Sequence, residues 1–471
     1  ARRQQLFAGD RINQTENRPV LHHLWRSRQF AQNLPAEEAA ACRQGLERLH
    51  EFSRALHQGR LPGDPGQQIR HVIHVGIGGS LLGPRLLCDA FPAAGATPQV
   101  HFISSVDAHE RERLLAAIDP RATAIILVSK SFTTSEVLAH GQRLLSWQAA
   151  KLGGPAAAQR RFAVSANRAR AVGFGVPEQQ VLAMGEWTGG RFSLWSPVGL
   201  TAAIAMGPEA FDELCAGGAA MDRHFREAPP NGNLPLIHGL LSCWHRNVCS
   251  LPCHGLVPYD SRLKGLPAWL QQVQMESNGK SVTRSGQAVP GDTSPVVFGE
   301  CGTDAQHALF QAFHQGTEVV PLDFIGVIRP DHADCEAQSL LLAHMLAQAT
   351  ALALGRGSDE LRESMQAQGL AAEAIEALLP HRRMPGDRPS TIFLLDRLDA
   401  ATLGALLALY EHSVFVESVV WDINAFDQWG VELGKELSDR IVPALSGETG
   451  ESGAIPGLAG LIREIRTRSE C

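Results

Sequence analysis

The chain of 471 residues carries 42 Lys and Arg against 49 Asp and Glu, a formal net charge of −7. Its length accommodates two or three domains and a core that needs no disulfide staples. The acidic balance offers no basic field to nucleic acid or to an anionic membrane, so an anionic ligand has to be small and held by local donors.

In chain order, the opening ARRQQLFAGD lacks the apolar core of a signal peptide. No apolar stretch is expected to reach the length of a membrane span, and a cytoplasmic setting is expected. From about residue 70, short β-branched runs alternate with helical periods. HVIHV (71–75), QVHFIS (99–104), TAIILVS (123–129) and RFAVSA (161–166) are each followed by a helix pattern, the signature of a parallel sheet covered on both faces. The first run breaks into Gly76, Gly78, Gly79 and Ser80. A dinucleotide fingerprint starting at Gly76 needs glycine at position 81, which is Leu81, and no Gly-Lys-Ser/Thr ending follows. What remains is a backbone open to close approach and a hydroxyl at a helix N-terminus, a place suited to an anion.

Asp107, after the second run, reads as a cap. SKSFTTSE (129–136) closes the third, with Thr133 and Glu136 at capping-box spacing. If the first and third strands are neighbours where the strand order reverses, Ser80 and the Ser129–Thr134 loop line one crevice. Lys130 amid hydroxyls and amides then suits a single phosphomonoester. In GGRFSLWS, Arg191 follows two glycines, from which a guanidinium can point into a cleft.

The nine cysteines are scattered and odd in number, and read as reduced thiols. CWHRNVCSLPCH groups Cys243, His245, Cys249, Cys253 and His254, but at spacings unlike paired zinc knuckles. The segment IHGLLSCWHRNV reads as a buried helix, and no metal is expected there. The alternation returns with HGLVPY (254–259), SPVVFGE (294–300), TEVVPLDFIGVI (317–328) and STIFLLDRL (390–398). In LQQVQMESNGK, Gln272 and Glu276 are four apart, on one face of a helix that stops at Ser-Asn-Gly. A carboxylate at such an end among apolar neighbours is a candidate base whose pKa desolvation would raise. GTDAQH sets His307 just inside a helix, and NAFDQWGVELGKEL sets Gln428 and Lys435 seven apart, on one helical face.

The expected architecture is α/β: two doubly wound parallel-sheet domains with helical N- and C-terminal extensions. The expected divisions are an N-terminal arm at 1–60, a first, smaller domain at 61–235, a second, larger one at 236–440, and a tail at 441–471. The Gly/Ser-rich SGETGESGAIPG in that tail reads as a linker to a short helix.

LFAGDRINQTENRPVLHHLWR, GIGGSLLGP, SKSFTT, GGRFSLWS, QMESNGK, GTDAQHALFQAFHQGT and WDINAFDQWGVELGK together cover most of the chain. Through them it resembles the phosphoglucose isomerase family, the glucose-6-phosphate isomerases of glycolysis. The resemblance implies a sugar isomerase-type fold and an aldose–ketose isomerisation through a cis-enediolate, without metal or organic cofactor. By the same resemblance, Glu276 matches the base, Arg191 the guanidinium that stabilises the intermediate, and His307 and Lys435 the pair that assists ring opening. The histidine is supplied by the neighbouring subunit of a homodimer. Gly79, Ser80, Ser129, Lys130, Ser131 and Thr134 match the phosphate pocket, while Gln272 and Gln428 match residues lining the substrate. The chain departs from the family's usual letters at Leu81, Ser131, Cys301 and Asp304, the last adding a negative charge near His307. It is also shorter at its N-terminus than the family pattern. The alternatives are an isomerase that also accepts mannose 6-phosphate and a non-catalytic sugar-phosphate-binding regulator on the same fold.

Overall fold

Val72, Ile73 and Val75, like the whole run from Thr123 to Val128, are fully buried, because parallel strands covered by helices on both faces need apolar side chains on both. The computed structural model describes residues 1–27, 36–61, 64–95, 97–448 and 457–469. The chain divides into a unit from Ala1 to Ala425 and a second from Phe426 to Cys471.

The larger unit holds an N-terminal helix Arg2–Ala8, a long helix Ala36–His57 and a two-stranded hairpin, β1 (Arg60–Leu61) with β2 (Asp64–Gln68). Two parallel sheets follow. The first contains β3 (His71–Val75), β4 (Gln99–Ile103), β5 (Thr123–Val128), β6 (Arg161–Ser165) and β7 (Val181–Ala183), in the order β4-β3-β5-β6-β7. The second contains β8 (Cys253–Tyr259), β9 (Val296–Gly299), β10 (Leu322–Val327) and β11 (Ser390–Leu395), in the order β11-β10-β8-β9. Each sheet starts in its interior, adds its second strand on one side and continues on the other. The same doubly wound order therefore occurs twice, and in the first sheet β3 and β5 are neighbours at the reversal, in register from His71 with Thr123 to Val75 with Leu127.

Separate apolar clusters cover the two sheets. Ile73, Ile125, Leu127 and Leu144 belong to the first, and Val257, Phe310, Phe324 and Met345 to the second. The N-terminal segment is tied in by charge. Buried Arg26 pairs with Asp222 at 2.6 Å and with Glu411, while Trp195 Nε1 donates to Glu411 at 3.0 Å and His412 lies 2.7 Å from Asp222.

Several expectations are corrected. TEVVPLDFIGVI forms a strand only from Leu322, since Pro321 before it has no N–H for a ladder. Val181–Ala183 adds an edge strand, three residues long and so without a periodic signal. The helix Leu234–Cys243 continues into a π-turn, Trp244–Val248, but is not buried throughout: Leu240, Leu241, Trp244 and Val248 lie exposed. Two helices, Cys335–Leu354 and Ala400–Val420, do reach the length and apolarity of a membrane span. Ala400–Val420 is a core helix, packed against Pro208–Glu227 and carrying buried Glu411, His412 and Glu417.

The smaller unit contains a 3-10 turn Trp429–Val431 and helices Glu432–Leu445 and Ala459–Arg468, which pack together and bury Ala444 and Ile462. Most of the expected linker, residues 449–456, lies outside the described residues.

Candidate active site

After β3 the chain turns through Gly76 and Ile77 into a 3-10 turn, Gly78–Ser80, that opens the helix Leu82–Ala90. Gly78 has φ +57°, and a Cβ there would meet Gln272 Nε2 at 2.9 Å. A Cβ on Gly79 would stand 2.1 Å from the Gly190 carbonyl oxygen and 2.6 Å from the Arg191 nitrogen, so only glycine lets these two loops touch. The loop is held from beneath by His74, whose Nε2 donates to the Ser80 carbonyl at 2.6 Å and whose Nδ1 lies 2.7 Å from the Thr201 hydroxyl. Burial lowers the His74 pKa to about 4, against a smaller raising effect of the Ser80 hydrogen bond. The ring is therefore neutral, with Nδ1 accepting from Thr201.

The second loop follows β5. Ser129 Oγ is 2.9 Å from Thr134 Oγ1 and accepts from the Phe132 amide at 3.1 Å, which fixes Phe132 at φ +52°. Thr134 is the N-cap residue of the helix Ser135–Leu152, yet its side chain does not cap, and Thr133 Oγ1 lies 2.6 Å from Ser131 Oγ. The expected capping box does not form, because these hydroxyls bond to one another across the loop. Among the described residues, the backbone N–H groups of Gly78, Gly79, Lys130, Ser131, Thr133 and Thr134 make no hydrogen bond. Two sets of free amides at the reversal of the strand order, with hydroxyls between them, are groups of the kind that can hold an anion. Lys130 departs from expectation. Its ammonium donates to the carbonyls of Glu186 at 2.7 Å and Thr188 at 3.0 Å. Burial and then the charge of Arg18 bring its pKa down to about 8.

Gly190–Phe192 forms a 3-10 turn that buries Arg191. Its Nε donates to Ser277 Oγ at 2.6 Å and its Nη2 to the Ala425 carbonyl, while Nη1 lies 3.7 Å from Glu276 Oε1. Glu276 and Gln272 end the π-turn Gln272–Glu276, which continues the helix Leu266–Gln271. The expected i, i+4 face is therefore opened by a wider turn, a feature common at functional sites. Glu276 Oε2 is buried and has no hydrogen-bond partner among the described residues. The following letters hold this turn. Asn278 donates to the Val414 carbonyl at 3.0 Å and to Glu417 at 2.8 Å. Lys280 donates to the carbonyls of Glu276, Ser277 and Asn424 at 3.0, 2.8 and 3.2 Å, satisfying the helix end.

The structure thus brings together the Gly78–Ser80 loop, Gln272, Arg191 and Glu276. His307 lies in the short helix Asp304–Ala308, as expected, and is exposed, with no ion pair to Asp304 among the described residues. Gln428 and Lys435 belong to the smaller unit. They do not share a helical face, because Gln428, with φ −151°, precedes the 3-10 turn and the helix begins only at Glu432. Sequence reading missed His74, Ser277 and the Ala425 carbonyl. A polar letter inside the apolar run HVIHV was the one signal available for His74.

A family model described as phosphoglucose isomerase matches residues 1–462. The chain is 44% identical over 470 residues to a glucose-6-phosphate isomerase of Brucella melitensis biotype 2 (strain ATCC 23457), covering 99% of this chain and 86% of the relative. It is 43% identical, at the same coverage, to that of Brucella abortus (strain S19). The crystal structure of a glucose-6-phosphate isomerase from Chlamydia trachomatis D/UW-3/Cx matches with a TM-score of 0.83 and 32% identity, over 99% of this chain and 86% of that one.

Proposed function

The chain belongs to the phosphoglucose isomerase family, and from that premise we propose how its residues divide the work of an aldose–ketose isomerase. The reaction is the reversible interconversion of glucose 6-phosphate and fructose 6-phosphate, a step of glycolysis and gluconeogenesis. The observation that carries the assignment is Glu276: a carboxylate with one buried, unpartnered oxygen, beside a buried guanidinium whose other nitrogens are held by Ser277 and Ala425. Glu276 takes the proton from C2 of the open-chain aldose and the carbonyl oxygen at C1 gains the electron pair; as the C2 hydroxyl gives up its proton and O1 takes one, Glu276 returns the proton to C1 of the cis-enediolate and the C2 ketone forms. Arg191, fixed before the reaction begins, faces the developing negative charge without having to reorganise.

The phosphate sits on the amides of Gly79, Lys130, Ser131 and Thr134 and the hydroxyls of Ser80, Ser129, Ser131 and Thr134. Lys130 contributes its backbone, its ammonium being engaged by Glu186 and Thr188. Gln272, against Gly78, contacts the sugar, and Gln428 lines the same substrate. His307 and Lys435 assist ring opening, with His307 acting on the site of a second copy. Exposure of His307 supports that arrangement, as do the uncovered Leu240, Leu241, Trp244 and Val248 on one helix and Ile392 and Leu394 on β11, apolar faces that a homodimer would bury. The free cysteines, scattered through the chain, support a cytoplasmic setting. The test is Glu276→Gln in a coupled assay from fructose 6-phosphate. Turnover should fall by about 10²–10⁴ with sugar-phosphate binding retained, and near-normal turnover would remove Glu276 from the role of base.

A further inference from the structure

His238, His254 and Asp323 are not among the residues assigned above. His254 and Asp323 are the second residues of β8 and β10, at the N-terminal edge of the second sheet, and His238 comes from the helix Leu234–Cys243. His238 Nε2 is 3.0 Å, and His254 Nε2 3.1 Å, from the same carboxylate oxygen, Asp323 Oδ2. The Tyr410 hydroxyl donates to that oxygen too, at 3.0 Å. A carboxylate oxygen has about two acceptor sites, so three donors on one oxygen are one too many. The geometry registers the conflict: His238 and Tyr410 hydrogen-bond to Oδ2, whereas His254 Nε2 is a buried nitrogen with no hydrogen-bond partner among the described residues.

We propose that His238, His254 and Asp323 bind a divalent transition metal ion, zinc being the type. Their three ligand atoms lie within 4.8 Å of one another. A tetrahedral ion with bonds of 2.0–2.2 Å sets its ligands about 3.3–3.6 Å apart, so separations have to change by a few tenths of an ångström up to about 1.5 Å. Replacing both imidazole protons by one ion leaves Oδ2 with the metal and the tyrosine alone, and Tyr410 then fixes the carboxylate from behind. A water closes the fourth position. Two imidazoles and a carboxylate suit zinc, not magnesium or calcium, which take oxygen ligands. No cysteine thiol belongs to this group of ligand atoms among the described residues. The sequence had placed His245 and His254 in a cysteine-rich cluster; the fold pairs His254 with His238 and Asp323.

The site stands apart from the isomerase assignment and is tested without it. The purified full chain, stripped with chelator, is titrated with ZnCl2 by calorimetry, and CoCl2 replaces zinc for visible spectroscopy. One zinc per chain, a tetrahedral Co2+ spectrum and a higher Tm with zinc but not magnesium are expected. His254→Ala and His238→Ala should abolish one-to-one binding, and Tyr410→Phe should weaken it by about 10–100-fold with unchanged stoichiometry. His254→Gln serves if an alanine variant fails to fold, with circular dichroism and urea unfolding as the check of folding. Absence of one-to-one binding by the wild-type chain overturns the site. So does binding that survives both histidine substitutions or is lost instead in Cys249→Ser or Cys253→Ser.

Discussion

His74 shows how one buried side chain can both support the site and contribute to the acid sensitivity of the fold. It is neutral in the folded chain, its pKa lowered to about 4 by burial, whereas in the unfolded chain it titrates near 6.5. Above pH 6.5 both states are neutral and its contribution is complete. As pH falls from 6.5 towards 4 the unfolded chain alone takes up the proton, and stability drops by up to about 3 kcal/mol from this residue. Urea unfolding at pH 7.5 and pH 4.5 should show that loss, and His74→Gln should reduce the difference; an equal difference in the variant would place the acid sensitivity elsewhere. Thr134 makes the complementary case on the ligand side. With Thr134→Ala, a simple sugar-phosphate inhibitor should bind about 1.5–3 kcal/mol more weakly by calorimetry. Unchanged affinity would move the phosphate from this loop.

Between elements, what matters is where backbone meets backbone and where a helix changes pitch. Gly79 against Gly190 is a contact between two main chains, so neither partner can swing away as a side chain could. Gly79→Ala should therefore part the loops that carry the proposed phosphate cradle and Arg191. A destabilisation of about 1–3 kcal/mol in denaturant titration, together with reduced kcat, is expected, and a variant indistinguishable from wild type would show the contact to be loose. The π-turn Gln272–Glu276 is the second such feature. The sequence revealed a helix ending at Ser-Asn-Gly, but not the extra residue in its turn. That insertion is fixed by bonds from Asn278 to Val414 and Glu417, more than 130 residues away.

For the whole molecule, the proposed dimer makes a quantitative demand. If each site combines Glu276 of one chain with His307 of the other, a mixed dimer of Glu276→Gln and His307→Ala has one doubly damaged site and one intact site. Random pairing makes half the dimers mixed, so refolding an equimolar mixture should recover about a quarter of wild-type activity on the cyclic sugar phosphate. No recovery, with mixed dimers confirmed by mass spectrometry, would assign His307 to its own chain.

Hydrophobic periodicity and loop chemistry alone were enough for the repeated α/β alternation, the glycine turn after β3 and the hydroxyl-rich turn after β5, because each depends on residues adjacent in the chain. Glu276 and Arg191 were legible as candidates for the same reason, a carboxylate at a helix stop and a guanidinium after two glycines. Their meeting at 3.7 Å was not, nor was the support of Ser277 and Ala425. The same holds for the redirection of the Lys130 ammonium onto Glu186 and Thr188, the burial of His74 and the grouping of His254 with Asp323. Each of these is decided by which distant segments share a face. Desolvation and hydrogen-bond direction act over a few ångströms of space, and only the folded chain determines which residues lie within that distance.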